Sequence, residues 1–341
     1  MCGVDQFNIE PYPLDIKTQV SSLESSSSTT NSKTYGPIKI GLDFTSFEKP
    51  LLMTSEVYSN IKSLLKETAK EFKKFLKIIH QNYDISSFYT NIINNCKVNT
   101  ISSQYSYFLI DNDLIIFPMF SDQLNEGTLA TAGPCLTISN PNPRPIAGYL
   151  HINSKINFSL LNSNLYLKNI LFHEITHVLL FNPNLLKKLG IIKEVNSINY
   201  IISPKAINQI RKHFDCSSIT QFPLETQGGS GTAGNHWDSR YMLGDYMVGS
   251  QYQEQAISDI TLALFEDTGY YQVNYYSGGL LKFGKGKGCN FINNKCIENE
   301  KPISNEFCVV PDELKCTSAR TMKGNCLIAH YERIPEEYQY F

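Results

Sequence analysis

The stretch "NILFHEITHVLLFNP", residues 169–183, holds two of the seven histidines in a chain of 341 residues, four positions apart, with a glutamate beside the first. On an α-helix, positions i and i+4 lie one turn apart on one face, so His173 and His177 can both aim an imidazole nitrogen at one point. Glu174 sits about 100° around the axis from His173, within reach of a water held at that point and poorly placed to ligate a metal itself. This is the H-E-x-x-H arrangement: two metal ligands and a general base on one rigid element. With His at roughly 2% and Glu at roughly 5% of residues, a chain of this length holds the pattern by chance with an expectation of order 0.01. The plain alternative is two core histidines, each satisfied by a backbone carbonyl. It sets His, Glu and His side by side on an apolar helix and leaves polar groups buried at considerable cost.

A catalytic zinc takes three protein ligands and keeps one position for water, so a third donor is expected. His80 ends a long amphipathic stretch, where a histidine complements a helix dipole, and His330 lies in a cysteine-rich tail. His151 sits in a strand-like run and His213 in a downstream segment, neither with supporting context. His236 stands apart, in "GTAGNHWDSRYMLGDYM", after a glycine-rich stretch able to fold back over the helix and 11 positions before Met247. Glu194, in "IKEVNSIN", is the alternative third ligand of a glutamate-type metallopeptidase, but no such motif surrounds it.

Around this centre, the length and the 42% hydrophobic content suit one large domain or two ordinary ones. A net charge of -2 gives no electrostatic reason to expect nucleic acid or an anionic membrane surface. No run of 18 apolar residues spans a bilayer, and residues 1–20 lack the basic and apolar regions of a signal peptide. Five of the nine cysteines, Cys289, Cys296, Cys308, Cys316 and Cys326, fall near the C-terminus with no CxxC pair, which reads as a disulfide-stapled segment from an oxidising compartment. An odd count leaves one thiol over, and isolated Cys2 is the candidate. A secreted protein without a leader implies a fragment or a misassigned start. Asn157-Phe158-Ser159 is a glycosylation sequon, consistent with secretion.

Residues 1–34 read as a flexible segment, Ser/Thr-rich at 21–34. "GPIKIGLDF" alternates like a strand, and the apolar spacing of "SEVYSNIKSLLKETAKEFKKFLKIIH" predicts one amphipathic helix through His80. "QYSYFLI", "DLIIFPMF" and "IAGYLHIN" read as strands. The 169–183 helix should run from Leu167 to Phe181 and stop before Pro183. "PKAINQIRKHF" and "QEQAISDITLALFEDTGY" read as further helices, the second stopping at Gly269.

Taken together, "FHEITHVLLF", "GTAGNHWDSRYMLGDYMVGS", "ITLALFEDTGYYQVNY", "LKFGKGKGC" and "PRPIAGYLHIN", with the spacing of the cysteine tail, resemble the leishmanolysin family of metzincin zinc endopeptidases, over roughly residues 35–341. That family places its third histidine after a long insertion, and His236 follows His177 by 59 residues (236 − 177). The resemblance implies an α+β fold: a metzincin-type catalytic domain with a twisted mixed sheet and long helices, an insertion after the active-site helix, and a Cys-rich C-terminal part. Its segments would be 1–34 flexible, 35–181 N-terminal catalytic, 182–234 insertion, 235–288 third ligand, methionine turn and C-terminal helix, and 289–341 disulfide-stapled.

It further implies one zinc ion per chain held by His173, His177 and His236, Glu174 as general base, and Met247 as the floor beneath the metal; Met242 competes by type but has the wrong spacing. The partners would be protein or peptide substrates, with residues 127–138 as a strand edge on which a substrate pairs, and the location extracellular or at the cell surface. A catalytically weak adhesion protein of the same fold is the alternative, since family members are associated with cell adhesion; Glu174 argues against it. Cys2 could reach back as an inhibitory fourth zinc ligand. One departure stands out. Metzincins carry a glycine three residues after the second histidine; here it is Leu180, so the chain should turn at Phe181-Asn182-Pro183, with Asn182 taking a left-handed conformation.

Overall fold

The computed structural model describes residues 12–14, 34–81, 89–100, 112–125, 127–138, 143–158, 163–250, 254–299 and 301–328. Cys2, most of the Ser/Thr-rich segment, the strand expected at 104–110, Ser159 of the sequon and His330 lie outside the described residues.

The N-terminal half runs β1 (Tyr12–Leu14), β2 (Gly36–Pro37), β3 (Ile40–Leu42), α1 (Ser55–Glu71), β4 (Leu76–Ile78), α2 (Tyr89–Cys96), β5 (Leu114–Ser121), β6 (Ala130–Ile138), β7 (Arg144–Asn153) and α3 (Asn164–Leu179). Five of these strands form a mixed sheet in the order β1-β6-β7-β5-β3, in which β6 and the β1 strand parallel to it run antiparallel to β7, β5 and β3. β6 and β7 are buried along their whole length, because helices cover both faces of the sheet and no side is left for polar alternation. Leu114 and Ile116 of β5 and Leu150 and Ile152 of β7 join the core shared with α1 and α3. Ile115, Phe117, Ala147 and Tyr149 pack with Ile92 and Cys96 of α2 on the opposite face, as the period of two demands. A Cβ at Gly148 would lie 2.2 Å from Val178 Cγ1. The glycine therefore lets α3, and with it the H-E-x-x-H face, press against β7.

α1 starts where Thr54 accepts the Val57 amide, but it is shorter than its apolar spacing suggests. It stops at Glu71, a 3-10 turn follows over Phe72–Lys74, and Leu76–Ile78 form β4 instead. Leu76 and Ile78 are buried around an exposed Lys77, a strand's period, and β4 is the middle strand between β2 and β11 (Tyr271–Val273). Pairing on two sides outweighs local helix propensity. His80 accordingly caps no helix; its Nδ1 lies 2.9 Å from Asp113 Oδ1.

After α3 come α4 (Pro183–Lys188), a hairpin of β8 (Ile192–Val195) and β9 (Ile198–Ile201), α5 (Pro204–Phe214) and β10 (Phe222–Pro223). The hairpin turns on Asn196 and Ser197, both at positive φ, as a two-residue primed turn requires. Then follow α6 (Ser239–Met242), α7 (Asp259–Asp267), β11, α8 (Cys289–Asn293) and two ribbons, β12 (Ile297–Glu298) with β13 (Lys301–Pro302) and β14 (Leu314–Cys316) with β15 (Lys323–Asn325). α7 begins at its Ser258 cap rather than in the preceding "QEQAI", whose Ala256 bridges to Asp245, and it stops at Gly269 with φ 81°.

Disulfides join Cys96 to Cys135, Cys216 to Cys289, and Cys308 to Cys326. The first ties α2 to β6 and the second ties the segment just after α5 to α8. Among the described residues, the tail is less completely stapled than its cysteine count suggests. Cys296 is free and buried, and Cys316 is free and exposed on β14, opposite Lys323. Among the described residues, no helix is long and apolar enough to cross a membrane.

Candidate metal centre

α3 takes its start from Ser163, whose hydroxyl accepts the Tyr166 amide, and everything on it from Ile170 to Leu179 is buried except Phe172. His173, Glu174 and His177 show no exposure at all. The helix leaves without a glycine and without a left-handed residue. Leu180, buried, ends it at φ −146°, and the amides of Leu180 and Phe181 both bond the Thr176 carbonyl. Asn182 is extended, at φ −126°, and its side chain accepts the Leu185 amide as the cap of α4. The expected left-handed asparagine is therefore not the device used: a capping asparagine starts a new helix at once and redirects the chain.

His236 arrives on a loop anchored by Glu225. The Glu225 amide donates to the His236 carbonyl and the Glu225 carbonyl accepts from Gly234, while its carboxylate collects the amides of Thr226, Gln227 and Ser239. Gly228, Gly229 and Gly234 take positive φ along the way. Trp237 then pairs with Val248, and its amide donates to the Met247 carbonyl at 2.9 Å. Met247 is fully buried beside the third histidine. Met242 is equally buried, but sits at the end of α6.

The three histidine rings meet. Nε2 of His173 lies 2.9 Å from that of His177 and 3.1 Å from that of His236, and the His177–His236 separation is 3.1 Å. Each Nδ1 is engaged elsewhere, donating to a backbone carbonyl: His173 to Tyr246 at 2.7 Å, His177 to Phe181 at 2.9 Å, His236 to Thr232 at 2.9 Å. Burial, before anything else, holds all three below the usual histidine range, His236 down to about 4; like-charge repulsion adds to it at His173 and His177. Neutral rings with their protons fixed at Nδ1 present three lone pairs to one point, an arrangement that only a cation relieves. Three zinc–nitrogen bonds of about 2.0–2.1 Å span a triangle of this size, so the donors fit the metal. Carbonyl-bound Nδ1 protons also set tautomer and ring orientation in zinc sites generally.

These three are the one group of potential ligands drawn together among the described residues. Glu194 is on β8, paired with Lys187 at the surface, so the glutamate-ligand alternative fails. His151 is buried on β7 against Tyr149, and His213 bonds the Phe283 carbonyl at 2.8 Å. Sequence reading missed the carbonyls of Tyr246, Phe181 and Thr232 and the role of Glu225. Carbonyls carry no residue-type signal; position beside a ligand or the methionine was the only clue to them.

A mixed sheet backed by a helix bearing H-E-x-x-H, with a distant third histidine, defines a metallopeptidase-type centre. Comparison with known proteins narrows the class: residues 14–341 match the leishmanolysin family, peptidase M8, and the chain belongs to it, a family of zinc metallopeptidases. It is 30% identical over 243 residues to a leishmanolysin homolog from Crithidia fasciculata, covering 68% of this chain and 36% of that protein. A leishmanolysin-like peptidase from Drosophila pseudoobscura pseudoobscura is 34% identical over 155 residues, 42% of this chain and 23% of the relative. Leishmanolysin from Leishmania chagasi is 26% identical over 242 residues, 68% of this chain and 39% of the relative. The chain thus spans well under half the length of these relatives.

Proposed function

We propose that this chain carries the catalytic centre of a zinc endopeptidase acting on proteins or peptides, with His173, His177 and His236 as ligands and Glu174 as general base. The convergence of three buried Nε2 atoms, each ring locked by a carbonyl at Nδ1, carries the reading. Zinc held there would supply Lewis-acid polarisation of the scissile carbonyl and an acidified water. Glu174, rigid on the same helix and one position from His173, takes a proton from the attacking water and returns it to the leaving amine. Burial around the rings excludes bulk water and strengthens every charge interaction at the centre.

The peptide would pair with β6. Its Leu136–Ile138 end carries β1, but Ala130–Cys135 has no second strand partner among the described residues, so that length of edge offers backbone groups to an extended substrate. The disulfides support a secreted or cell-surface setting.

The test is zinc content and chelator-sensitive hydrolysis of a casein substrate by the purified chain, with Glu174→Gln beside it. Glu174→Gln should keep about one zinc per chain and lose about 10²–10⁴-fold in kcat, the range for removing a general acid–base group. A wild-type chain that binds zinc and folds yet cleaves nothing would establish the binding or adhesion role instead.

A further inference from the structure

Two of the three histidines are oriented by one turn. His173 gives its Nδ1 proton to the Tyr246 carbonyl, and the residue after His236, Trp237, gives its amide proton to the Met247 carbonyl. Whatever fixes residues 245–247 therefore fixes the α3 pair relative to the third ligand.

What fixes them is a carboxylate with no exposure. Asp245 accepts the Met247 amide through Oδ1 at 2.8 Å. Through Oδ2 it accepts the Thr261 hydroxyl at 2.8 Å and the Ser258 amide at 3.3 Å. The Thr261 hydroxyl in turn accepts from Nε1 of Trp237 at 2.7 Å. An indole only donates and a carboxylate only accepts, so the hydroxyl must receive from one and give to the other. Trp237, Thr261 and Asp245 thus form a directed chain, buried at every member. It runs from the neighbour of His236, through the first turn of α7, to the turn that holds Tyr246 and Met247. A carboxylate left in such surroundings without donors would cost several times what an ordinary hydrogen bond contributes, which makes the chain costly to break at any link.

We propose that Asp245 and Thr261 are positioning residues of the metal centre: through Trp237 they lock the methionine turn against the third-ligand loop and so set the spacing between His236 and the α3 histidines. The proposal rests on the zinc reading above, and goes beyond it in assigning the spacing to a link outside the ligands and their carbonyls. Thr261→Val keeps the shape and β-branching and removes only the hydroxyl, whereas Thr261→Ser keeps the hydroxyl.

The experiment measures zinc affinity of the full chain by competition with a chromophoric chelator at pH 7.5, together with thermal unfolding of the metal-free protein. Thr261→Val should weaken zinc about 10–100-fold, as loss of groups orienting zinc ligands does, and Thr261→Ser should stay within about threefold of wild type. Unchanged affinity in Thr261→Val overturns the proposal, even if its metal-free form melts lower, because that is the signature of a merely structural bond. Should Thr261→Val not fold, Asp245→Asn, the same shape without the charge, decides in its place: weakened zinc supports, unchanged zinc overturns. Failure of the wild type to take up zinc overturns the zinc reading and this proposal together; wild-type binding with indifferent variants overturns the proposal alone.

Discussion

His177 follows His173 by one turn of α3, whereas His236 stands 59 positions further on (236 − 177), past two helices, a hairpin and a glycine-rich loop. The first pair is placed by helix geometry and by the fit of α3 against β7 at Gly148. The third donor is placed by hydrogen bonds that its own segment makes with others: Glu225 beneath the loop, Met247 beside it, Thr232 behind the ring. One half of the centre is preorganised by the backbone, and the other by tertiary structure. The second half should therefore be the one that metal stabilises most, since binding free energy goes to whatever is ordered only in the bound state.

Removing the metal is the strongest way to break this asymmetry. After chelation, hydrogen exchange should accelerate by orders of magnitude at residues 228–238 and change little along 167–179; equal acceleration in both would refute the division. Leu180→Gly probes the helix side. If Leu180 merely tolerated a position suited to glycine, the change would be neutral. Because its side chain is wholly buried at the end of α3, the substitution should instead destabilise by about 3–4 kcal/mol, as core truncations do, read by denaturant unfolding.

The smallest effect uses a buried histidine outside the centre as a control. Burial lowers the His151 pKa from 6.5 to about 4, so the native state holds it neutral while the unfolded chain protonates near 6.5. Its contribution is intact above pH 6.5 and is lost as pH falls toward 4, which makes the protein about 2 kcal/mol less stable at pH 5 than at pH 7.5 from this group. His151→Phe should flatten that slope; a slope unchanged by the substitution would show that the acid sensitivity arises elsewhere.

How much was legible in advance follows the same division. The H-E-x-x-H helix, α5, α7 and its Gly269 stop, and the strands over 114–121 and 144–153 could be read because each is set by local periodicity or a local cap. The end of α1 could not. Its last apolar residues keep helical spacing, and only pairing of β4 with β2 and β11 converts them to strand. The disulfide pattern was equally hidden, since spacing of cysteines along a chain does not say which sulfurs come within bonding reach, and Cys296 and Cys316 are left without partners among the described residues.

Residue types alone determined that two imidazoles would share one helical face with a carboxylate about 100° around the axis from the first, and that His236 was the histidine best placed to join them. Folding decided the rest: that the loop returns far enough to bring a third Nε2 within 3.1 Å of the others, that Asn182 redirects the chain by capping a new helix, and that Asp245 binds the methionine turn. The physical reason is range. Helix periodicity acts over a few residues and is written in the sequence, whereas a three-histidine cluster spanning 63 positions (236 − 173) depends on which distant hydrogen bonds are satisfied at once in the closed fold.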